Sequence, residues 1–260
     1  NNNFLLNLED YHLIGNVNIL KNTMRLTPIP DPEIELLLRT LRKNFLINEA
    51  YYEMDKDFIL EVLISLSYQC FINEYIYEEG DTEKKEVDKL KRNIEEAYKE
   101  NSEINIHKLI LLSCYTPLHT LEWIQDYTPT EKLKNLFKIQ VDDYFDELSI
   151  AKDIKKLKKI KDPLSKEVED MYKESPYPRW NEVLLPPTVT VREIIENLSL
   201  NLNPEDFNSL TNPDILIAGC GTGHQSIQTY SRFKNCQMIA IDLSLRSLSY
   251  AKRKSLELGF

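Results

Sequence analysis

The sequence predicts an all-α region followed by the opening of a doubly wound α/β sheet, and three observations carry that prediction. Only Gly15 and Gly80 fall in the first 212 of 260 residues, whereas Gly219, Gly221, Gly223 and Gly259 fall in the last 48. Charge divides at the same place. The net −10 splits into −13 before Pro213 and +3 after it. Apolar periodicity also changes there, from helical spacing to short apolar runs alternating with helical segments, the pattern of parallel β-α-β units.

Residues 1–162 read as helices. Asp31-Pro32-Glu33 supplies an N-cap, a proline at the first helical position and an acid in the first turn. Behind it Ile34, Leu37, Leu38, Leu41 and Phe45 recur at helical spacing. Asp57 to Tyr77 is apolar on several sides and predicts a central buried helix. Its apolar stretch, Phe58 to Ile72, is broken by Glu61, two serines and Gln69, which argues against a membrane span. Glu83 to Glu100 is charged apart from the seam Val87, Leu90, Ile94 and Ala97. Ile106–Cys114, Pro117–Ile124 and Thr130–Leu148 predict further helices, a texture compatible with a degenerate helical repeat.

Residues 163–212 read as a connector. Six lysines occupy the ten positions from Lys152 to Lys161, and Asp162-Pro163 ends the run. Ser165 is a candidate cap for a short helix through Tyr172, and Pro176-Tyr177-Pro178-Arg179-Trp180 is too rich in proline for helix or central strand. Thr190-Val191-Arg192-Glu193 is a capping box opening a helix through Leu198. Asn203-Pro204 and Asn212-Pro213 mark turns.

Residues 213–260 alternate cleanly. Ile215–Ala218 and Gln237–Ile241 read as short strands buried on both faces, joined by a glycine-rich turn and a helix from His224 to Lys234. Asp242 closes the second strand, and Ser244 caps a helix running to Leu258. Only two strands precede Phe260, so the remaining strands of such a sheet are expected beyond it. On its own the 260-residue chain is expected to bind ligand poorly and to aggregate or dimerise through open strand edges.

Composition bounds the function. Hydrophobic residues at 42% and charged residues at 28% are ordinary for a globular chain, and a pI near 5.1 argues against a protein that coats nucleic acid or anionic membrane. Four scattered cysteines and four scattered histidines show no metal spacing, and with no apolar leader the expected compartment is reducing cytosol.

The chemistry sits in Gly219-Cys220-Gly221-Thr222-Gly223 and Asp242. A strand, three glycines and a helix let a ligand approach the backbone, and the helix N-terminus favours an anionic or polar group. Asp242, nineteen residues after Gly223, ends the neighbouring strand, where a carboxylate can accept bonds from two vicinal ribose hydroxyls. A dinucleotide fingerprint needs a third small residue three positions after the second glycine, and His224 stands there. The G-x-G-x-G spacing favours S-adenosylmethionine over a nicotinamide dinucleotide.

Asp214-Ile-Leu-Ile-Ala-Gly-Cys-Gly-Thr-Gly223, Ala240-Ile-Asp-Leu-Ser244 and Ser247-Leu-Ser-Tyr-Ala-Lys252 resemble the opening of class I S-adenosylmethionine-dependent methyltransferases, which have a Rossmann-like fold. More narrowly, the chain resembles bacterial methyltransferases with tetratricopeptide repeats upstream. Gln69-Cys-Phe-Ile-Asn-Glu-Tyr75, Tyr115-Thr-Pro-Leu-His119 and Val168-Glu-Asp-Met-Tyr-Lys-Glu-Ser-Pro-Tyr-Pro-Arg-Trp180 carry that likeness. The resemblance implies that Gly219, Cys220, Gly221 and Gly223 pass close to the cofactor. It also implies that Asp242 binds its ribose, that Leu243 flanks its adenine, and that Tyr172 covers it. Many members place an acid two residues before the first glycine, where this chain has Ile217, so the anchor for the cofactor's amine is not evident. The resemblance implies no catalytic base among these residues and does not identify the methyl acceptor.

Competing readings stand beside these. Cys220 reads as a small apolar residue between glycines more readily than as a nucleophile, and His224 as a helix-start residue more readily than as a base. Tyr177, Arg179 and Trp180 either line a pocket or pack as a rigid connector. The lysine run reads as a solvated face rather than an RNA contact, and Trp123, Tyr75 and Tyr77 as core or interface. At the level of function, a nicotinamide-dependent oxidoreductase remains open. So does a non-catalytic helical module that binds a protein partner and keeps a vestigial cofactor fold.

Overall fold

A computed structural model describes residues 16–48, 56–157, 162–164, 166–167, 176–198, 201–207, 209–233 and 235–260. The proposed Ser165–Tyr172 helix lies largely outside them, and Tyr172 itself does so entirely. The chain divides into two compact units, 1–144 and 145–260.

The first unit is helical: α1 (Asn18–Leu26), α2 (Pro32–Ile47), α3 (Lys56–Ile72), α4 (Asp81–Lys99) and α5 (Ile106–Ser113). Asp31 caps α2 as its sequence predicts, one carboxylate oxygen accepting from the N–H groups of Glu33 and Ile34. Helix α3 is the central one, with Leu63, Leu66, Cys70 and Ile72 essentially inaccessible to solvent. It ends five residues earlier than its apolar pattern suggests, because Glu74 and Tyr75 turn into left-handed conformations. Helix α4 buries Leu90 and Ile94 of the predicted seam.

Pro117–Ile124 does not form the predicted helix. Two 3-10 turns stand there, Leu118–Thr120 and Ile124–Asp126. The Thr120 hydroxyl donates to the Pro117 carbonyl at 2.7 Å, a local bond that competes with helix propagation. From Glu131 the chain is helical through a 3-10 turn (Glu131–Leu133), α6 (Lys134–Phe137), a π turn (Lys138–Asp142) and α7 (Asp143–Ala151), which leads into the second unit. At the π turn Gln140 is buried. Its amide bonds the Leu118 N–H and the Ser67 hydroxyl, satisfying polar groups of two other segments.

One feature of this unit is not foreshadowed by periodicity. Arg42, on the apolar side of α2, is fully buried. Its guanidinium donates to the carbonyls of Cys114, Tyr77 and Glu78 and to Glu83, and stacks 4.2 Å from the Tyr115 ring centroid. Tyr115 in turn donates to Glu83 at 2.8 Å. Burial is the largest influence on this arginine and opposes its charge, yet the surrounding acidic groups leave its pKa above the ordinary value. Trp123 stacks on Tyr98 and Tyr77 is buried, both as expected of packing residues.

In the second unit, α8 (Val191–Asn197) carries the predicted capping box in full. It is followed by β1 (Asp214–Ala218), α9 (His224–Arg232), β2 (Gln237–Ile241) and α10 (Leu245–Glu257). The strands are parallel, pairing Asp214 with Gln237 through Ala218 with Ile241. Ser244 caps α10, its hydroxyl accepting from the Ser247 N–H.

The expectation that both strand faces are buried is not met. Leu216 and Ile239, paired on one face, are each 66% exposed, while Ile215, Ile217 and Met238 on the other are half-buried. The reason lies in the helices. The start of α9 lies against α10 at Gly223 and Ala251, so the two helices are neighbours, and among the described residues neither they nor another element covers Leu216 and Ile239. Among the described residues no helix is long and apolar enough to cross a membrane, and no cluster of His, Cys, Asp or Glu suits a metal ion.

Candidate functional site

The site is built where β1 and β2 end. Gly219, Gly221 and Gly223 all take positive φ, at +74°, +52° and +82°, which reverses the chain between β1 and α9 within five residues. The three glycines differ in what surrounds them. A Cβ built on Gly219 or Gly221 meets nothing within 4 Å, so the backbone there faces open space. A Cβ on Gly223 would lie 2.6 Å from the Cβ of Ala251. Gly223 therefore serves the packing of α9 against α10 as well as the turn.

Asp242 braces the turn. One carboxylate oxygen accepts from the Gly221 N–H at 2.8 Å and the other from the Ser244 N–H at 2.8 Å. The Gly219 and Cys220 N–H groups donate to the Ile241 carbonyl, so both strand ends are tied together. A carboxylate has about four acceptor positions, which leaves each oxygen of Asp242 room for one further donor.

These elements border a cleft of about 1520 Å³ in the second unit, whose lining includes Gly219, Cys220, Gly221, Gly223, Asp242 and Leu243. The structure thus brings together every cofactor-site residue named from sequence except Tyr172, which lies outside the described residues. Leu243 is 42% exposed at this cleft, available for an apolar contact. Cys220 is buried. Its thiol is pushed up to about 11 by burial first and by the charge of Asp242 second, the opposite of what a nucleophilic cysteine needs. His224 begins α9 with its ring edge-to-face against Trp180, as a packing residue would.

The connector string resolves into distinct roles. Trp180 is buried with Ile227 and Tyr250, whereas Tyr177 is half-exposed and lines the cleft. The Trp180 indole N–H donates to the Thr222 carbonyl at 3.1 Å, and the Thr222 hydroxyl donates to the Pro178 carbonyl at 2.7 Å. Arg179 is buried near Glu147, Arg246 and Arg253. Burial raises the Glu147 carboxyl above its ordinary range, with Arg253, Arg179 and Arg246 pulling the other way. Arg253 pairs with Glu147 at 2.9 Å.

Sequence reasoning missed two things. Thr222 and Tyr250 hold the connector, and the available signal was the helical spacing of Ser247, Tyr250 and Lys254 on one face of α10, all of which are buried. Lys155 and Lys156, part of the run that reads from sequence as a solvated face, also line the cleft, as does Lys166 beyond that run; all three are exposed and border the cleft at once.

Neither the models of known protein families, nor the curated proteins, nor the solved structures contain a match to this chain.

Proposed function

We propose that the cleft binds S-adenosylmethionine and that the chain carries the first part of the Rossmann-like cofactor domain of a methyltransferase. The observation that carries this reading is the pairing of open backbone at Gly219 and Gly221 with a carboxylate, Asp242, on the adjacent parallel strand at the same cleft. That arrangement suits a nucleoside whose ribose hydroxyls donate to the acid while its polar tail passes the glycines. When bound, the cofactor supplies an electrophilic methyl group on a sulfonium. The residues of this chain bind and orient: the glycine turn admits the ligand close to the backbone, Asp242 fixes the ribose, and Leu243 gives the base an apolar neighbour. Positioning of this kind accounts for much of the catalysis of an in-line displacement. Lys155, Lys156 and Lys166 would favour an acceptor carrying negative charge.

A second reading has its own observation. The Asp242 carboxylate already accepts two backbone bonds, which is all that a ligand-free structural turn requires. Calorimetric titration of S-adenosylhomocysteine and of NADH into the full-length natural protein, with Asp242→Ala beside it, separates the readings. Binding of S-adenosylhomocysteine that the substitution weakens, without an NADH signal, supports the methyltransferase. NADH binding points to an oxidoreductase, and silence from both in a folded protein points to an interaction module.

A further inference from the structure

The segment from Pro176 to Trp180 is bonded to the glycine turn and to α10, and Trp180 packs edge-to-face on His224 at the start of α9. Thr222 is the pivot. It stands between Gly221 at φ +52° and Gly223 at φ +82°, and it is 2% exposed. Glycines on either side leave it the residue through which a neighbouring segment can grip this half of the turn. Both of its bonds go to the connector, the carbonyl accepting from the Trp180 indole and the hydroxyl donating to the Pro178 carbonyl.

The connector end is fixed as firmly. The Tyr250 hydroxyl of α10 accepts from the Trp180 N–H at 3.0 Å and donates to the Trp180 carbonyl. Lys254, one turn further along α10, donates to the Asn181 carbonyl and lies 5.3 Å from the Trp180 ring centroid. Beyond Trp180 the chain follows α9. Gln228 donates to the Leu184 carbonyl, Thr188 to the Ser231 carbonyl, and the Val189 N–H to the Arg232 carbonyl.

We propose that this connector is a clip whose docking on Thr222 holds the glycine turn in its ligand-accepting geometry, with Thr222 and Trp180 as positioning residues for the cleft. Neither residue lines the cleft; each acts through the backbone of Gly221 and Gly223, which do. Ligand affinity is therefore coupled to connector docking. A change in residues 176–180 alters binding without touching the ligand, and ligand binding in turn tightens the connector.

The inference rests on the reading of the cleft as a cofactor site, and its test keeps the two apart. Thr222→Val removes the hydroxyl at nearly constant shape, and Thr222→Ser restores it. In the ligand-free full-length protein, amide hydrogen exchange at residues 219–223 and 179–181 is expected to quicken together in Thr222→Val. It is expected to return to the parent rate in Thr222→Ser, with exchange in β1 unchanged in both. With S-adenosylhomocysteine as probe, Thr222→Val is expected to raise Kd about tenfold and Thr222→Ser no more than about twofold, the scale of one hydrogen bond. Parent-like exchange and Kd in Thr222→Val overturn the clip. So does a loss that Thr222→Ser fails to restore, or one that quickens β1 equally. If the parent protein binds no S-adenosylhomocysteine, the cofactor reading fails instead, and the exchange rates alone decide the clip.

Discussion

Replacing Gly223 by alanine tests whether this glycine is fixed by packing as well as by the turn. At φ +82° an alanine sits in the left-handed region, at a cost of about 1–2 kcal/mol. Its Cβ would also stand 2.6 Å from the Cβ and 3.1 Å from the Cα of Ala251, so α10 or the turn must shift. Overpacking of that kind costs about 1–3 kcal/mol, and the two contributions together come to about 2–5 kcal/mol. Gly221→Ala is the comparison, because φ is +52° and nothing lies within 4 Å; it should lose only the conformational part, about 1–2 kcal/mol. Urea unfolding reads both, followed by Trp180 fluorescence in a Trp123→Phe background, since the chain has two tryptophans. Adding Ala251→Gly should recover part of the Gly223→Ala loss despite the helix cost of about 1 kcal/mol for the new glycine. Equal losses for Gly221→Ala and Gly223→Ala, or strict additivity with Ala251→Gly, would refute the packing argument.

Three further outcomes follow from the geometry. Arg42→Met should destabilise the first unit by about 3–5 kcal/mol in thermal unfolding, because it leaves Glu83 buried without its cation; Glu83→Leu in the same chain should restore most of that. Cys220, held near pKa 11, should react slowly with iodoacetamide at pH 8 and faster as pH rises. Asp242→Asn should speed the reaction at fixed pH by removing the negative charge that helps to raise the thiol. Glu193 is held below the ordinary glutamate value by the Thr190 backbone and hydroxyl, so the two bonds its carboxylate accepts from Thr190 should be intact above that value. They should be lost as pH falls through the lowered one, and an NMR titration of the Glu193 carboxyl with no downward shift would contradict this.

Local signals in the sequence were enough to locate most elements. The Asp31 cap, the Thr190–Glu193 capping box and the Ser244 cap each set a helix start through bonds confined to three or four residues. The β-α-β-α unit was legible for a similar reason: short apolar runs and a glycine turn leave few alternatives. Features that depend on distant partners were not legible. Nothing local marks Arg42 for burial; its partners Tyr77, Cys114 and Glu83 are brought around it only by the fold. Thr222 and Tyr250 gain their meaning only when residues 176–180 reach the turn. The strands read as doubly buried because composition reports apolarity, not which side the helices take. At the site, spacing was enough to choose the glycines and Asp242. It could not show that Gly223 faces Ala251 while Gly219 and Gly221 face open space.

The central claim is that a nucleoside-bearing cofactor lies across the glycine turn and Asp242. Its most direct test is titration of S-adenosylhomocysteine into the 15N-labelled full-length protein. The account predicts that the amide resonances of Gly219, Gly221, Asp242 and Leu243 move together and saturate at one Kd, with adenosine alone moving the Asp242 and Leu243 signals. Saturable shifts confined to other residues, or none in a folded sample, would contradict it.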